Sequence, residues 1–320
     1  MRTAYCTVLN AAFVPRALTL QRSVAVHTPE AVVAFFCLDE AAVGLLRALA
    51  PASAWIVPPQ AFETGALLAV KPTLKLNEYC WTCKPFALRH ALDRDSGIDW
   101  AVWLDADMFS FADLDAPLRA APDANVALTP HGFTSDFAAY EPEVGRYNAG
   151  YVAFRNSGPG RAALEWWTQR CLERCSATPV DGTYADQKYL NALPELFPQV
   201  ASLSPRSMNA APWNIAGKPV RQDADGPTVA GEPLRLYHYQ AMRVMRGWAF
   251  DLYASRTRLS AQVRQIIYRP YATALHAALR EVSRCAGDRL FGVDGEFAGP
   301  GSLMRTAKHL AWARNIHVQF

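Results

Sequence analysis

Two aspartates follow directly on an apolar segment and could bind a divalent cation. The segment reads Trp100-Ala-Val-Trp-Leu104, which is typical of a buried strand, and Asp105 and Asp107 stand at its end. Two carboxylates held close together repel each other unless a cation lies between them. Carboxylate oxygens favour Mg²⁺ or Mn²⁺, and substrate phosphates usually complete the coordination of such ions. A solvated acidic turn is the alternative interpretation of the same residues.

A histidine far downstream is the candidate third ligand. His238 stands in Leu234-Arg-Leu-Tyr-His-Tyr239, a strand-like run after a polar stretch. Imidazole suits Mn²⁺ better than Mg²⁺, so a site of two Asp and one His favours manganese. A structural hydrogen-bonding role is the alternative for this histidine.

The elements that must position these residues alternate between strand and helix. We predict strands at 3–9, 32–38, 54–57, 100–104, 125–129 and 151–155, and helices at 15–27, 40–50 and 78–92. The N-terminal βαβαβ order predicts a largely parallel sheet covered by helices. Such sheets bind ligands beyond the carboxyl ends of their strands, so we expect chemistry just after Leu9, Leu38 and Leu104. The Gly- and Pro-rich stretch Gly217–Pro233 is predicted to be a surface loop.

Composition bounds the class of protein. The chain has 320 residues, 51% hydrophobic and 19% charged, which is an ordinary globular composition. A net charge of +3 gives no reason to expect a nucleic-acid partner. No apolar run approaches the roughly 20 residues of a membrane span, and the N-terminus does not resemble a cleaved leader. Seven cysteines, an odd number in a long chain, are typical of a reducing cytoplasm.

Taken together, the pattern resembles glycosyltransferases of the GT-A fold, and more narrowly family 8, which includes glycogenin and bacterial lipopolysaccharide glycosyltransferases. The resemblance runs from about Tyr5 to Trp248. It rests on these pieces in order: Tyr5-Cys-Thr-Val-Leu-Asn10, Lys84, Asp105-Ala-Asp107, Tyr147-Asn-Ala-Gly150, Asp186-Gln187 and His238.

The resemblance implies a role for each matched residue. Thr7, Leu9 and Asn10 would line a uracil and ribose pocket. Asp105, Asp107 and His238 would bind Mn²⁺ or Mg²⁺, with Asp105 also near the ribose. Asn148, Asp186 and Gln187 would surround the donor sugar. Lys84 would approach the donor phosphates or sugar; a surface lysine before Pro85 is the alternative. Asp186 could equally be the N-cap of a helical run at 187–193.

The segment after His238 departs from the family pattern. Family members usually carry His-x-x-Gly-x-x-Lys-Pro-Trp, in which the lysine contacts the pyrophosphate. Here the segment is two residues longer and lacks that glycine and lysine. Arg243 or Arg246 is the candidate replacement for the phosphate-binding charge. Trp213 falls in a loop that lines the family's active site, where it would either stack on a sugar or belong to the core.

The implied activity is transfer of a hexose from a UDP-sugar to a hydroxyl acceptor, with retention of anomeric configuration. A glycan or lipid-linked glycan in bacterial surface-glycan synthesis would be the acceptor. Asp186 or Gln187 would act as a covalent nucleophile or would stabilise an oxocarbenium-like state.

Two other functions use parts of the same pattern. One is a non-catalytic nucleotide-sugar or glycan-binding module of the same fold. The other is a haloacid-dehalogenase-type phosphatase, which also carries Asp-x-Asp after an apolar strand. Its motif normally lies on an early strand and continues with Thr or Val, whereas this one begins at residue 105 and continues Met108-Phe-Ser110.

Charge divides the chain into two parts. Residues 1–255, the predicted catalytic domain, carry 22 Lys and Arg against 25 Asp and Glu; residues 256–320, a predicted basic helical extension, carry 10 against 4. Cations interleaved with Trp and Tyr can rest on an anionic membrane surface, which predicts peripheral membrane contact. Packing on the catalytic domain with a solvated basic face is the alternative.

Overall fold

A mixed, mostly parallel β-sheet forms the centre of the molecule in a computed structural model that describes residues 1–246, 248–254, 257–287, 289, 291–299 and 301–319. The strands up to residue 202 are β1 (Thr3–Leu9), β2 (Val32–Cys37), β3 (Trp55–Val57), β4 (Trp100–Leu104), β5 (Met108–Ser110), β6 (Val126–Pro130), β7 (Tyr147–Arg155) and β8 (Val200–Ser202). All except β5 form a seven-stranded sheet in the order β3-β2-β1-β4-β7-β6-β8. β7 runs antiparallel to both neighbours, while the other pairs are parallel. The predicted fold class is confirmed.

Helices cover both faces of this sheet. They are α1 (Val14–His27), α2 (Glu40–Leu49), α3 (Pro59–Phe62), α4 (Gly65–Val70), α5 (Leu76–Arg94), α6 (Ala116–Arg119), α7 (Glu141–Val144), α8 (Gly158–Glu173), α9 (Leu193–Leu196), α10 (Pro205–Met208), α11 (Pro212–Ile215), α12 (Arg269–Cys285) and α13 (Ser302–Trp312). α1, α2 and α12 share one core with the sheet, and α5 and α8 share the other. The central strands β1, β2 and β4 are almost entirely apolar, as expected of strands that are buried on both faces.

Local signals set the helix starts. The Asp39 carboxylate accepts a hydrogen bond from the Ala42 amide at 2.7 Å, as expected of the N-cap of α2. The Ser157 hydroxyl does the same for α8, accepting from the Gly160 amide at 3.2 Å. The predicted helices at 15–27 and 78–92 are confirmed as α1 and α5, with ends that differ by at most two residues.

Two predicted segments differ from the structure. β7 begins at Tyr147 rather than at residue 151, and it therefore includes Asn148 and Gly150. The stretch Gly217–Pro233 is not a loop: it forms an antiparallel sheet of β9 (Val220–Asp223), β10 (Gly226–Val229) and β11 (Glu232–Pro233). Part of the Gly and Asp content that suggested a loop belongs to its tight turns, where Asp225 lies between β9 and β10 and Gly231, with φ +83°, lies between β10 and β11.

A short strand pair brings the two halves of the chain together. β12 (Leu236–His238) pairs antiparallel with β5, and His238 stands opposite Met108. The Tyr239 amide also donates to the Asp107 carbonyl at 2.9 Å. This pairing fixes His238 beside the two aspartates.

The C-terminal segment packs on the rest of the chain. β13 (Arg243–Met245), β14 (Ala249–Asp251) and β15 (Ile316–Val318) form a small antiparallel sheet. Ala278 and Val282 of α12 join the core that contains α1. The predicted domain boundary at 255/256 lies outside the described residues. Within the ranges that the structure describes, no helix is long and apolar enough to cross a membrane.

Candidate active site

A cleft of about 640 Å³ opens at the carboxyl ends of β1 and β4. Parallel strands direct their ends, and the loops that follow them, to one edge of the sheet. The predicted site residues that line the cleft are Leu9, Asn10, Lys84, Asp105, Asp107, Asn148, Asp186, Gln187, Trp213 and His238. Residues that are far apart in sequence thus share one cavity.

Asp105, Asp107 and His238 form a tight cluster in this cleft. The imidazole Nε2 lies 3.3 Å from Asp107 Oδ1 and 3.7 Å from Asp105 Oδ2. One ligand atom from each of the three residues lies within 4.8 Å of the other two, and no other such group of His, Cys, Asp or Glu occurs among the described residues. Burial alone would lower the pKa of His238, but the charges of Asp107 and Asp105 raise it above its ordinary value.

The cluster suits a divalent cation. Two carboxylates and one imidazole are ligand types that Mn²⁺ accepts, and all three converge on one point. Gly150 leaves the space that the imidazole occupies, since a Cβ there would lie 2.9 Å from His238 Nδ1. The residues present therefore fit the metal that the sequence predicts.

Lys84 is a buried residue that is ion-paired with two aspartates, and it is not a surface lysine. Its side chain is 4% exposed, and Nζ lies 3.1 Å from both Asp105 Oδ1 and Asp186 Oδ2. The ammonium also donates to the Ala149 carbonyl at 3.0 Å. Burial opposes its charge, but the two carboxylates raise the pKa of Lys84 well above its ordinary value. An ammonium has three N–H groups, and these three partners can occupy all of them.

Asp186 faces Lys84 and does not cap a helix. The 3₁₀ turn that follows it, Lys188–Ala192, has no side-chain cap. The Asp186 carboxylate is 3% exposed, and its ion pair with Lys84 joins α5 to the cleft wall. Burial raises the pKa of Asp186, and Lys84 counteracts part of that shift. The N-cap interpretation is therefore wrong for this residue.

Asn148 uses its whole amide inside the protein. Its Nδ2 donates to Gln187 Oε1 at 3.3 Å and contacts His131 Nε2 at 3.2 Å. Its Oδ1 accepts from the Gly150 amide at 2.9 Å and from Asn209 Nδ2 at 2.8 Å. Both protons and both lone pairs are thus occupied, so Asn148 orients Gln187 and His131.

His131 is a cleft residue that the sequence reasoning missed. Its ring stacks on Phe133 at 4.5 Å, and its Nδ1 lies 3.3 Å from the Arg146 carbonyl. Burial lowers the pKa of His131 to about 4, so the ring is neutral, donating from Nδ1 and accepting at Nε2. His131 follows directly on β6, and the rule that ligands bind beyond strand ends could have found it.

Trp213 is a wall residue that supports two histidines. Its indole is edge-on to His238, with ring centroids 5.6 Å apart, and Nε1 donates to the His131 carbonyl at 3.1 Å. The residue is 6% exposed and lines the cleft. Phe133, Phe137 and Tyr140, from the segment after β6, extend this aromatic wall toward solvent.

Three predicted residues do not line the cleft. Thr7 is 1% exposed inside β1. Arg243 forms an ion pair with Glu296 at 2.6 Å, and Arg246 donates to the Ser302 hydroxyl. The structure thus directs both arginines to the C-terminal segment, away from the cleft wall where a phosphate-binding charge was predicted.

Comparison with known proteins supplies both fold and family. The chain superposes on the galactosyltransferase LgtC, solved in complex with donor and acceptor sugar analogs, with a TM-score of 0.51 and 14% identity, covering 87% of this chain and 96% of LgtC. This similarity shows the GT-A-like glycosyltransferase fold.

No protein-family model matches the sequence. The uncharacterized Bacillus subtilis protein YfnD is 27% identical over 299 residues, covering 92% of this chain and 96% of YfnD. The uncharacterized YfnF of the same organism is 32% identical over 255 residues, covering 77% of this chain and 83% of YfnF. The chain therefore belongs to the same protein family as YfnF.

Proposed function

We propose that this protein is a metal-dependent glycosyltransferase that moves a hexose from a UDP-sugar to a hydroxyl group of a glycan or lipid-linked glycan. The observation that carries the proposal is the Asp105, Asp107 and His238 cluster, which opens into the cleft at the strand ends. The glycosyltransferase fold supports it. A cation would offset the repulsion between the two carboxylates and would also neutralise charge on a diphosphate leaving group, so one ion can fulfil both roles.

A Mn²⁺ or Mg²⁺ ion bound by these three residues would supply Lewis-acid stabilisation of the departing diphosphate. The chain itself prepares the ligands. Trp103 Nε1 donates to Asp105 Oδ1 at 2.8 Å, and Lys84 contacts the same oxygen. These contacts fix the Asp105 carboxylate before any ligand arrives, so little reorganisation is needed on binding.

The nucleoside would bind beside the end of β1. Leu9 and Asn10 line the cleft there, and the buried Asn10 Oδ1 has no hydrogen-bond partner among the described residues. A buried acceptor without a partner is costly, and a donor from a bound base or ribose would satisfy it. The unpaired Asn10 Oδ1 therefore supports a nucleotide on the Asn10 side of the metal cluster.

The donor sugar would lie between the metal cluster and Gln187. Gln187 Nε2 donates to the Val144 carbonyl at 3.0 Å, and Asn148 donates to its Oε1. Because Asp186 is ion-paired with Lys84, we propose that it acts through charge and position and that the reaction retains configuration without a covalent Asp186 adduct. Proton NMR of the first product would show the anomer, and mass spectrometry of the quenched enzyme would show any adduct.

A UDP-release assay tests the proposal. UDP-glucose, UDP-galactose and their N-acetyl forms should be compared with and without Mn²⁺, for the wild type and for Asp107→Asn. We expect turnover with at least one donor and a loss of about 100-fold or more in the variant. Asp225→Asn, in the exposed turn between β9 and β10, is the matched control. Metal-independent turnover, or an Asp107→Asn variant with full activity, would contradict the metal role.

Two outcomes would replace the proposal. Tight UDP-sugar binding without turnover in any acceptor mixture would favour the non-catalytic module. Hydrolysis of p-nitrophenyl phosphate with Mg²⁺ would favour the phosphatase.

We propose a cytoplasmic reaction in bacterial surface-glycan synthesis, with peripheral membrane contact through the C-terminal segment. The seven cysteines are free, and the two relatives are bacterial. On α13, Leu303, Met304 and Trp312 are 66%, 64% and 86% exposed beside Lys308. Apolar and basic residues on one exposed helix suit an anionic lipid surface. Co-sedimentation with anionic vesicles that is unchanged after deletion of residues 300–320 would contradict membrane contact.

A further inference from the structure

A second concavity lies behind the aromatic wall of the cleft. This groove has a volume of about 1090 Å³ and is lined by α11, the segment 216–221 and the segment 257–264. No residue of the predicted site set lines it. Its position and charge are unlike those of the cleft.

Four cations line the groove against one carboxylate. Of the groove-lining residues that the structure describes, Lys218, Arg221, Arg258 and Arg264 are the cations, and Asp136 is the single acidic residue. None of the four lies within salt-bridge distance of a carboxylate in the part of the chain that the structure describes. Elsewhere on the surface, arginines such as Arg161 and Arg170 are ion-paired. Four cations against one carboxylate leave an excess of positive charge, and a bound anion would reduce the repulsion between the cations.

The groove and the cleft are separated by one ridge. The Thr134 amide donates to the Trp213 carbonyl at 3.0 Å, which joins the segment after β6 to α11. Phe137 and Trp213 face the cleft, whereas Asp136 and Pro212 face the groove. A molecule that extends out of the cleft across this ridge would therefore reach the cations.

We infer that the groove binds a phosphate ester carried by the acceptor, so that the preferred acceptor is a phosphorylated glycan. The inference rests on the proposed function, because it takes the cleft as the donor site. Arginine presents a planar fork of N–H groups that matches phosphate oxygens, and the groove offers three arginines and a lysine. The chemical class is thus an organic phosphate, positioned so that a hydroxyl of the same molecule enters the cleft.

Binding of glucose 6-phosphate, compared with glucose, tests this by calorimetry on the full chain. The groove variant is Lys218→Gln, Arg221→Gln and Arg258→Gln combined. The matched control removes three exposed charges from α12 instead: Arg269→Gln, Arg280→Gln and Arg284→Gln. Each exposed ion pair contributes little, but the groove variant removes three of them together, so we expect its affinity for glucose 6-phosphate to fall on the order of tenfold. The control should change less than about twofold, and the loss should shrink at high salt.

Several results would overturn the inference. Equal losses in both triple variants would show an effect of net charge alone. Unchanged affinity in the groove variant would place the phosphate elsewhere. Loss of binding to phosphatidylglycerol vesicles with unchanged glucose 6-phosphate binding would make the groove a membrane contact.

Failure of the proposed function is visible separately. The groove inference alone fails if the groove variant binds UDP-sugar, releases UDP and binds phosphorylated acceptors as the wild type does. Groove-dependent binding of glucose 6-phosphate in a chain that never binds a UDP-sugar defeats the proposed function alone.

Discussion

Replacing Gly150 by alanine should disturb the metal cluster directly. The new Cβ would lie 2.7 Å from Asn148 Oδ1 and 2.9 Å from His238 Nδ1. Both distances are shorter than ordinary contacts of a Cβ atom, so the amide or the imidazole must move by a few tenths of an ångström. Such overpacking costs about 1–3 kcal/mol. The backbone of Gly150 has no positive φ, so the expected loss comes from this contact and not from backbone strain.

Two measurements separate the effect on the cluster from a general loss of stability. Urea unfolding should show the Gly150→Ala chain less stable by about 1–3 kcal/mol. Calorimetric Mn²⁺ binding should weaken about tenfold if roughly 1.4 kcal/mol of that strain falls on the ligated state. The control is Gly44→Ala in α2, where a Cβ would meet no atom of the described residues within 4 Å. It should stabilise the chain by up to about 1 kcal/mol and leave Mn²⁺ affinity unchanged. Wild-type stability together with wild-type Mn²⁺ affinity in Gly150→Ala would refute the reasoning.

Three further predictions concern the Lys84 ion pairs, the buried His131 and the metal cluster. Lys84→Met leaves the carboxylates of Asp105 and Asp186 without their cation, so urea unfolding should show a loss of about 3–5 kcal/mol in the free energy of unfolding. A loss below about 1 kcal/mol would show that these ion pairs contribute little to stability. Burial lowers the pKa of His131 to about 4 in the folded chain, below the value of about 6.5 in the unfolded chain, so protonation favours unfolding. The free energy of unfolding should be highest above about pH 6.5 and should decrease by about 3 kcal/mol as the pH falls to about 4. A His131→Gln chain should lack that component, and identical pH curves for the two chains would disprove it. Mn²⁺ at 100 times its Kd should raise stability by about 2.7 kcal/mol, reversibly with EDTA, but not in Asp107→Asn; equal stabilisation of that variant would move the ion elsewhere.

The sequence predicts much of the frame because the frame depends on local signals. Continuous apolar runs mark β1, β2 and β4, and Asp39 marks the start of α2. Asp105 and Asp107 are predictable because the apolar run before them marks the end of a strand. The same rule applied after the predicted strand at 125–129 would have led to His131.

Other parts depend on contacts that no local pattern encodes. The place of His238 beside Asp107 follows from the pairing of β12 with β5 across more than a hundred residues. The burial of Lys84 depends on Asp186, which lies on a distant segment. From sequence alone, a charged residue in a helix is expected to be exposed to solvent, because its burial depends on partners that the local sequence does not show.

The pairing of β5 with β12 also has a consequence for biosynthesis. A ribosome releases the segment with Asp105 and Asp107 well before His238 and the strand that carries it. Until then β5 has an unpaired edge, and the nascent chain holds only part of the cluster. Non-local pairing of this kind forms slowly and leaves intermediates with exposed strand edges. The proposed site therefore assembles late, and a chain truncated before β12 should be prone to aggregate.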